Sequence, residues 1–174
     1  LGKDMQVEST WANAVLLPTT VPMDPLRVVD PANQEQPVHP LFGYAYVLDR
    51  SEGLIVVDVN TLVDGDPDNN SLRRATTWNG DQLLSGAHAG IVVGHYLYVL
   101  TTTALVVVDI EQPTAPRLVA SVREGLREPR AIDVQFRYAA VTDADGLKVV
   151  DITDLTRPTL VPTATVPFAD ARGL

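Results

Sequence analysis

Leu105-Val106-Val107-Val108-Asp109-Ile110 is the stretch on which the fold turns. Its apolar run is too short for a stable helix and has no polar position to turn toward water, so it predicts a strand buried on both faces. Three consecutive valines, stiff at χ1, suit a pleated surface better than a helix. Just upstream lie Ala89-Gly90-Ile91-Val92-Val93 and Tyr96-Leu97-Tyr98-Val99-Leu100, and just downstream Arg117-Leu118-Val119-Ala120-Ser121-Val122. Gly, Pro, Asp and Asn punctuate these runs, giving four short strands in sequence.

The pattern recurs. Tyr138-Ala139-Ala140-Val141-Thr142 followed by Gly146-Leu147-Lys148-Val149-Val150-Asp151-Ile152 is a second copy, and Tyr44-Ala45-Tyr46-Val47-Leu48 followed by Gly53-Leu54-Ile55-Val56-Val57-Asp58-Val59 a third. Asp109 to Asp151 is 42 residues, as is Pro116 to Pro158, whereas Asp58 to Asp109 is 51. The acidic insertion Asp64-Gly65-Asp66-Pro67-Asp68-Asn69-Asn70 contributes to the longer spacing. A unit of four strands in about 42 residues is the period of a β-propeller blade. The expected fold is therefore all-β: about three four-stranded antiparallel blades plus part of others, in an open or partial propeller. Asp143-Ala144-Asp145-Gly146 predicts a tight hairpin, and Pro162 is expected on an outer strand, where proline is tolerated.

Composition agrees. Val, Thr and Ile make up 46 of the 174 residues, and no stretch sustains a capped 3.6-residue apolar period. Apolar residues are 45% of the chain, enough for a core. A net charge of −9 argues against nucleic acid or an anionic membrane as partner. No apolar run approaches the ~18 residues that would span a bilayer. Without cysteine, the segment holds no disulfide, thiolate metal site, cysteine nucleophile or covalently attached haem.

Leu54-Ile55-Val56-Val57-Asp58, Leu105-Val106-Val107-Val108-Asp109 and Leu147-Lys148-Val149-Val150-Asp151 resemble the LVIVD repeat, found in β-propeller proteins of bacterial and archaeal cell surfaces. The resemblance covers roughly residues 38 to 174. It implies an extracellular or cell-surface setting and a place in a multi-component assembly, one version of which stands beside multihaem cytochromes.

The units are expected at 43–86, with the acidic insertion, 87–128 and 129–170. Ala171-Arg172-Gly173-Leu174 follows Pro129-Arg130-Ala131-Ile132 by 42 residues and should begin a further blade. No basic-then-apolar leader opens the chain. The expectation is a segment of a larger propeller, or one whose edges another chain covers. Residues 1–42 carry six of the 13 prolines and read either as an irregular arm or as the remnant of a preceding blade, with Leu26-Arg27-Val28-Val29-Asp30 as a degenerate third strand.

Four sets of residues stand out as candidate sites. Asp58, Asp109 and Asp151 end the third strand of every copy, and a group needed in each blade reads as structural, accepting backbone N–H groups in the following turn. Asp64, Asp66, Asp68 and Asn70 alternate like the opening of a calcium loop. Asn69 and Ala75, however, stand where such a loop needs Gly and Glu, so the alternatives are a calcium site and a solvated acidic turn. His88, Arg130 and Arg172, spaced by 42, should precede innermost strands at one mouth of the channel. There they either bind an anionic ligand or acidic partner or hydrogen-bond the loop carbonyls of the neighbouring blade. His39 and His95 lack partners at metal-ligand spacing, and Trp11 and Trp78 read as packing groups, with Trp78 also placed to anchor a partner.

No nucleophile–base pair, zinc motif or phosphate loop is present. The expectation is a non-catalytic scaffold that binds a protein partner or the remaining blades, with no cofactor in this segment unless calcium. The alternatives are a component of cytochrome-containing electron-transfer assemblies and a propeller enzyme with its site in the channel, for which Asp133 is the one inner-strand carboxylate.

Overall fold

The computed structural model describes residues 5–18, 40–62, 64–169 and 171–174. Leu26–Asp30 and His39 lie outside the described residues. Three antiparallel sheets follow one another along the chain. The first comprises β1 (Ala12–Leu16), β2 (Tyr44–Asp49), β3 (Gly53–Asp58) and β4 (Arg73–Trp78). The second comprises β5 (Ala89–Val93), β6 (Tyr96–Leu100), β7 (Leu105–Asp109) and β8 (Arg117–Val122). The third comprises β9 (Ala131–Gln135), β10 (Tyr138–Asp143) and β11 (Gly146–Asp151), with β12 (Thr159–Leu160) and β13 (Val166–Pro167) both pairing with β11. Strand order within each sheet follows the sequence, as in a blade, and the innermost strands β1, β5 and β9 adjoin one another in turn.

Two boundaries differ from the sequence reading. The first blade does not begin at residue 43: its inner strand is β1, so part of the 1–42 segment belongs to it. The other two blades join inner strand to second strand by a two-residue turn, whereas here residues 17–43 intervene, and that distance hides the pairing from any local pattern. β1 also carries an irregular register between Ala12 and Ala14 opposite β2. The outer strand of the third blade is split as well. Pro162 has no N–H to give the ladder, and Pro162–Ala164 forms a 3-10 turn between β12 and β13.

The core lies between the sheets. Tyr46, Leu48, Leu54 and Val56 of the first blade pack on Leu97, Val99, Val106 and Val108 of the second. The opposite face of that second blade presents Tyr98, Leu100, Leu105 and Val107 to Ala139, Val141 and Val150 of the third. All of β7 but its terminal Asp109 is buried, because it is sandwiched on both sides. Gly90 lets β5 approach β1: a Cβ there would lie 2.5 Å from the Tyr98 carbonyl oxygen and about 3 Å from Leu16 and Leu48. Two faces have no described neighbouring sheet. On the first blade it is formed by Ala45, Ile55 and Val57 with Val47, flanked by Val7, Val59 and Leu72. On the third blade the register puts Tyr138, Ala140, Leu147 and Val149 on one side, away from the second. Among the described residues no helix is long and apolar enough to cross a membrane.

Candidate functional site: the two ends of the blades

Each blade has two ends, and they differ. One end holds the starts of the inner strands and the hairpins that join second to third strands. Here a side chain ties the first blade to the second and another the second to the third, and a third reaches the segment after the last strand. Asn13 Nδ2 donates to the Ala87 carbonyl at 3.0 Å, His88 Nε2 lies 2.9 Å from the Pro129 carbonyl, and Arg130 Nη1 donates to the Ala171 carbonyl at 3.2 Å. The acceptors Ala87, Pro129 and Ala171 are themselves 42 residues apart. His88 thus faces a carbonyl that leads into the third blade, and Arg130 one that lies beyond the third blade's last strand. His88 Nδ1 also lies 3.0 Å from the Gly86 carbonyl, and a neutral ring donates to only one of the two. Arg172 is exposed.

The same end contains a set of residues that sequence reasoning missed. Asp49, Thr101 and Asp143 close the second strands and are fully or almost fully buried. Asp49 Oδ1 accepts the N–H groups of Ser51 and Glu52 at 2.7 and 2.8 Å, while Oδ2 accepts the Ser9 hydroxyl and the Trp11 N–H at 2.5 and 2.6 Å. Asp143 repeats the arrangement, taking Asp145 and Gly146 on Oδ1 and the Arg127 N–H on Oδ2. In the second blade Thr101 Oγ1 accepts from Thr103 and Ala104. Burial alone would raise the Asp49 pKa; the Ser9 hydroxyl and the N–H groups of Glu52, Trp11 and Ser51 outweigh it and lower the pKa to about 2. The 42-residue spacing of Thr101 and Asp143 was a visible signal, masked because the residue type changes.

At the opposite end stand the repeated aspartates. Asp58, Asp109 and Asp151 each accept the backbone N–H two residues on, from Asn60, Glu111 and Thr153 at 2.8–3.0 Å. Asp58 pairs with Arg73 at 3.2 Å and Asp109 with Arg117 at 3.1 Å, across the third and fourth strands. In the third blade Thr159 takes the arginine's place opposite Asp151.

The acidic insertion projects from this end and is exposed. Its carboxylates turn onto their own backbone: Asp64 accepts the Asp66 N–H and the Asn69 amide, and Asp66 accepts the Asp68 N–H, all at 2.9–3.0 Å. Asn70 is exposed beside them. Among the described residues no three His, Asp or Glu side chains converge as metal ligands would. His95 stacks on Tyr96 with ring centroids 4.1 Å apart. Asp133 is exposed on β9 and bonds the adjacent Val134 N–H. At the rim, half-buried Trp78 lines a groove with Thr77, Asn79, Asp81, Gln82 and Leu118, in which Asp81 and Gln82 both adopt positive φ. Trp11 lies under the Arg50 guanidinium, 5.0 Å from its ring centroid.

A sequence-family model described as the LVIVD repeat matches residues 43–66, 88–124 and 129–165, together more than half of the chain. The chain belongs to the LVIVD-repeat family. The first match covers β2 and β3 of the first sheet, the second covers β5–β8 and the third β9–β12, so this LVIVD-repeat chain is a β-propeller-type repeat domain whose described blades do not close a ring. No curated protein matches it. The aspartate ending each LVIVD run is the Asx-turn residue described above.

Proposed function

We propose that this domain is a non-catalytic scaffold that binds protein partners in an extracellular or cell-surface assembly. The observation that carries the reading is where the blades agree and where they differ. The polar side chains at the starts of the inner strands are spent on loop carbonyls downstream, in the next blade for Asn13 and His88 and at Ala171 for Arg130. Among the features that break the repeat, the acidic insertion, the Gly80–Gln82 turn and the hairpin tips lie in loops outside the sheets. A rigid repeat with variable loops is the arrangement of a binding surface. The apolar faces at either end of the sheet series suit further blades, supplied by the same chain or by another. The reading needs no cofactor in this segment, and the −9 charge disfavours nucleic acid as the partner.

Cross-linking mass spectrometry on intact producing cells tests it. Cross-links from the loop carboxylates and from Lys148 to other proteins, in an envelope or external fraction, are expected. Recovery in the cytosol with links only inside the chain would overturn the proposal.

A further inference from the structure

The hairpin joining β9 to β10 departs from its counterpart in the second blade. Gln135 pairs with Tyr138, leaving Phe136 and Arg137 as a two-residue turn. The equivalent turn of the second blade is Gly94-His95, between paired Val93 and Tyr96. In both, the first central residue alone has positive φ: 61° at Gly94 and 54° at Phe136. A turn of that kind calls for glycine at this position. For a bulky side chain a positive φ is an outlier, because the Cβ crowds the backbone. A Cβ at Gly94 would meet nothing within 4 Å, so at that position the cost of a side chain is the backbone strain alone. Phe136 itself is 93% exposed. The fold is satisfied by glycine, and the phenylalanine adds strain and leaves an aromatic ring in water. Backbone strain and exposed apolar area in one residue, without structural gain, mark a contact made elsewhere.

The flanking residues describe that contact. Tyr138 lies on the open face of the third blade, and the Arg137 guanidinium is 5.1 Å from the centre of its ring. Phe, Arg and Tyr in succession at a protruding tip are the residue types that dominate the energetic centres of protein interfaces. On a chain of net charge −9, Arg137 gives this tip a local positive group. We infer that Phe136-Arg137-Tyr138 is a docking tip for a protein partner with an apolar pocket bordered by a carboxylate: Phe136 fills the pocket, and Arg137, braced on Tyr138, pairs with the acid. The inference rests on the scaffold reading above and names its contact surface.

The test places the photo-cross-linking amino acid p-benzoylphenylalanine at position 136 and, separately, at position 66 in the acidic loop, in producing cells. A single foreign protein captured from position 136 is expected. Excess unlabelled chain should compete with that capture, and Phe136→Gly or Arg137→Glu chains should compete about tenfold less well. Phe136→Gly should melt at or above the temperature of the parent, which separates a contact residue from a structural one. A lower melting point for Phe136→Gly, capture of a second copy or of this chain's own residues, or Phe136-dependent sedimentation with phosphatidylcholine vesicles would each overturn the inference. Capture from position 66 alone would overturn it and leave the scaffold reading standing; capture from neither would overturn both.

Discussion

Asp49 is a carboxylate removed from water and held by four donors. Asp49→Ala removes the acceptor of three backbone N–H groups and a hydroxyl in a part-buried turn, and should cost about 1–3 kcal/mol in urea unfolding. Its pH dependence has a definite sign. The folded-state pKa, about 2, lies below the roughly 3.9 of an unfolded aspartate. The contribution is therefore complete above about pH 4 and is lost as the pH falls toward 2. The stability difference between the parent and Asp49→Asn should shrink across that interval, read from urea midpoints at successive pH values; a constant difference would refute the assignment. Thr101 fills the same place in the second blade without a charge, so Thr101→Ala should show no such trend. Residues of this kind were legible only in part. The repeat revealed Asp58, Asp109 and Asp151 because the type is constant, and obscured Asp49, Thr101 and Asp143 because it is not. Asn13 escaped notice for a different reason: its strand meets β2 across residues 17–43, too far for any local pattern.

Single strands respond according to whether sheets lie on both sides. Leu105 is fully buried between the second blade and the third, while Leu147, its counterpart 42 residues on, is half-buried on a face with no described neighbouring sheet. Leu105→Ala should cost about 3–5 kcal/mol and Leu147→Ala clearly less, by chemical denaturation. The central strands were readable because burial on both faces writes itself as an uninterrupted apolar run. The outer strands were less so: Pro162 announced an edge, and its consequence, two short strands about a 3-10 turn, follows from the missing N–H. The acidic insertion behaves as a turn-forming element whose carboxylates already hold backbone donors. The carboxylates keep unused lone pairs, but among the described residues no three metal-ligating side chains converge. Melting curves with calcium and with a chelator should therefore superimpose; a rise in Tm with calcium would show that the loop reorganises around the ion.

For the molecule as a whole, stability resides in the seams between sheets. Gly90 sits in the first of them, where an added methyl would press on the Tyr98 carbonyl and on Leu16 and Leu48. Gly90→Ala should destabilise by about 1–3 kcal/mol through overpacking, whereas Gly94→Ala, in open space at positive φ, should cost only the backbone strain, about 1–2 kcal/mol. A thermal melt that ranked them with Gly94→Ala far the more damaging would contradict the packing described.

The bonds from Asn13 to Ala87, His88 to Pro129 and Arg130 to Ala171 have a consequence for how such molecules change over time. From the second blade onward, donor and acceptor advance by the same stride, so every latch carries its own address. A duplication or excision of one whole 42-residue unit would bring a donor and an acceptor to matching positions, while the apolar faces would still have to fit. Recombination within a unit would misalign both. The lineage can therefore lengthen or shorten in whole steps while each new neighbour arrives with its latch in register.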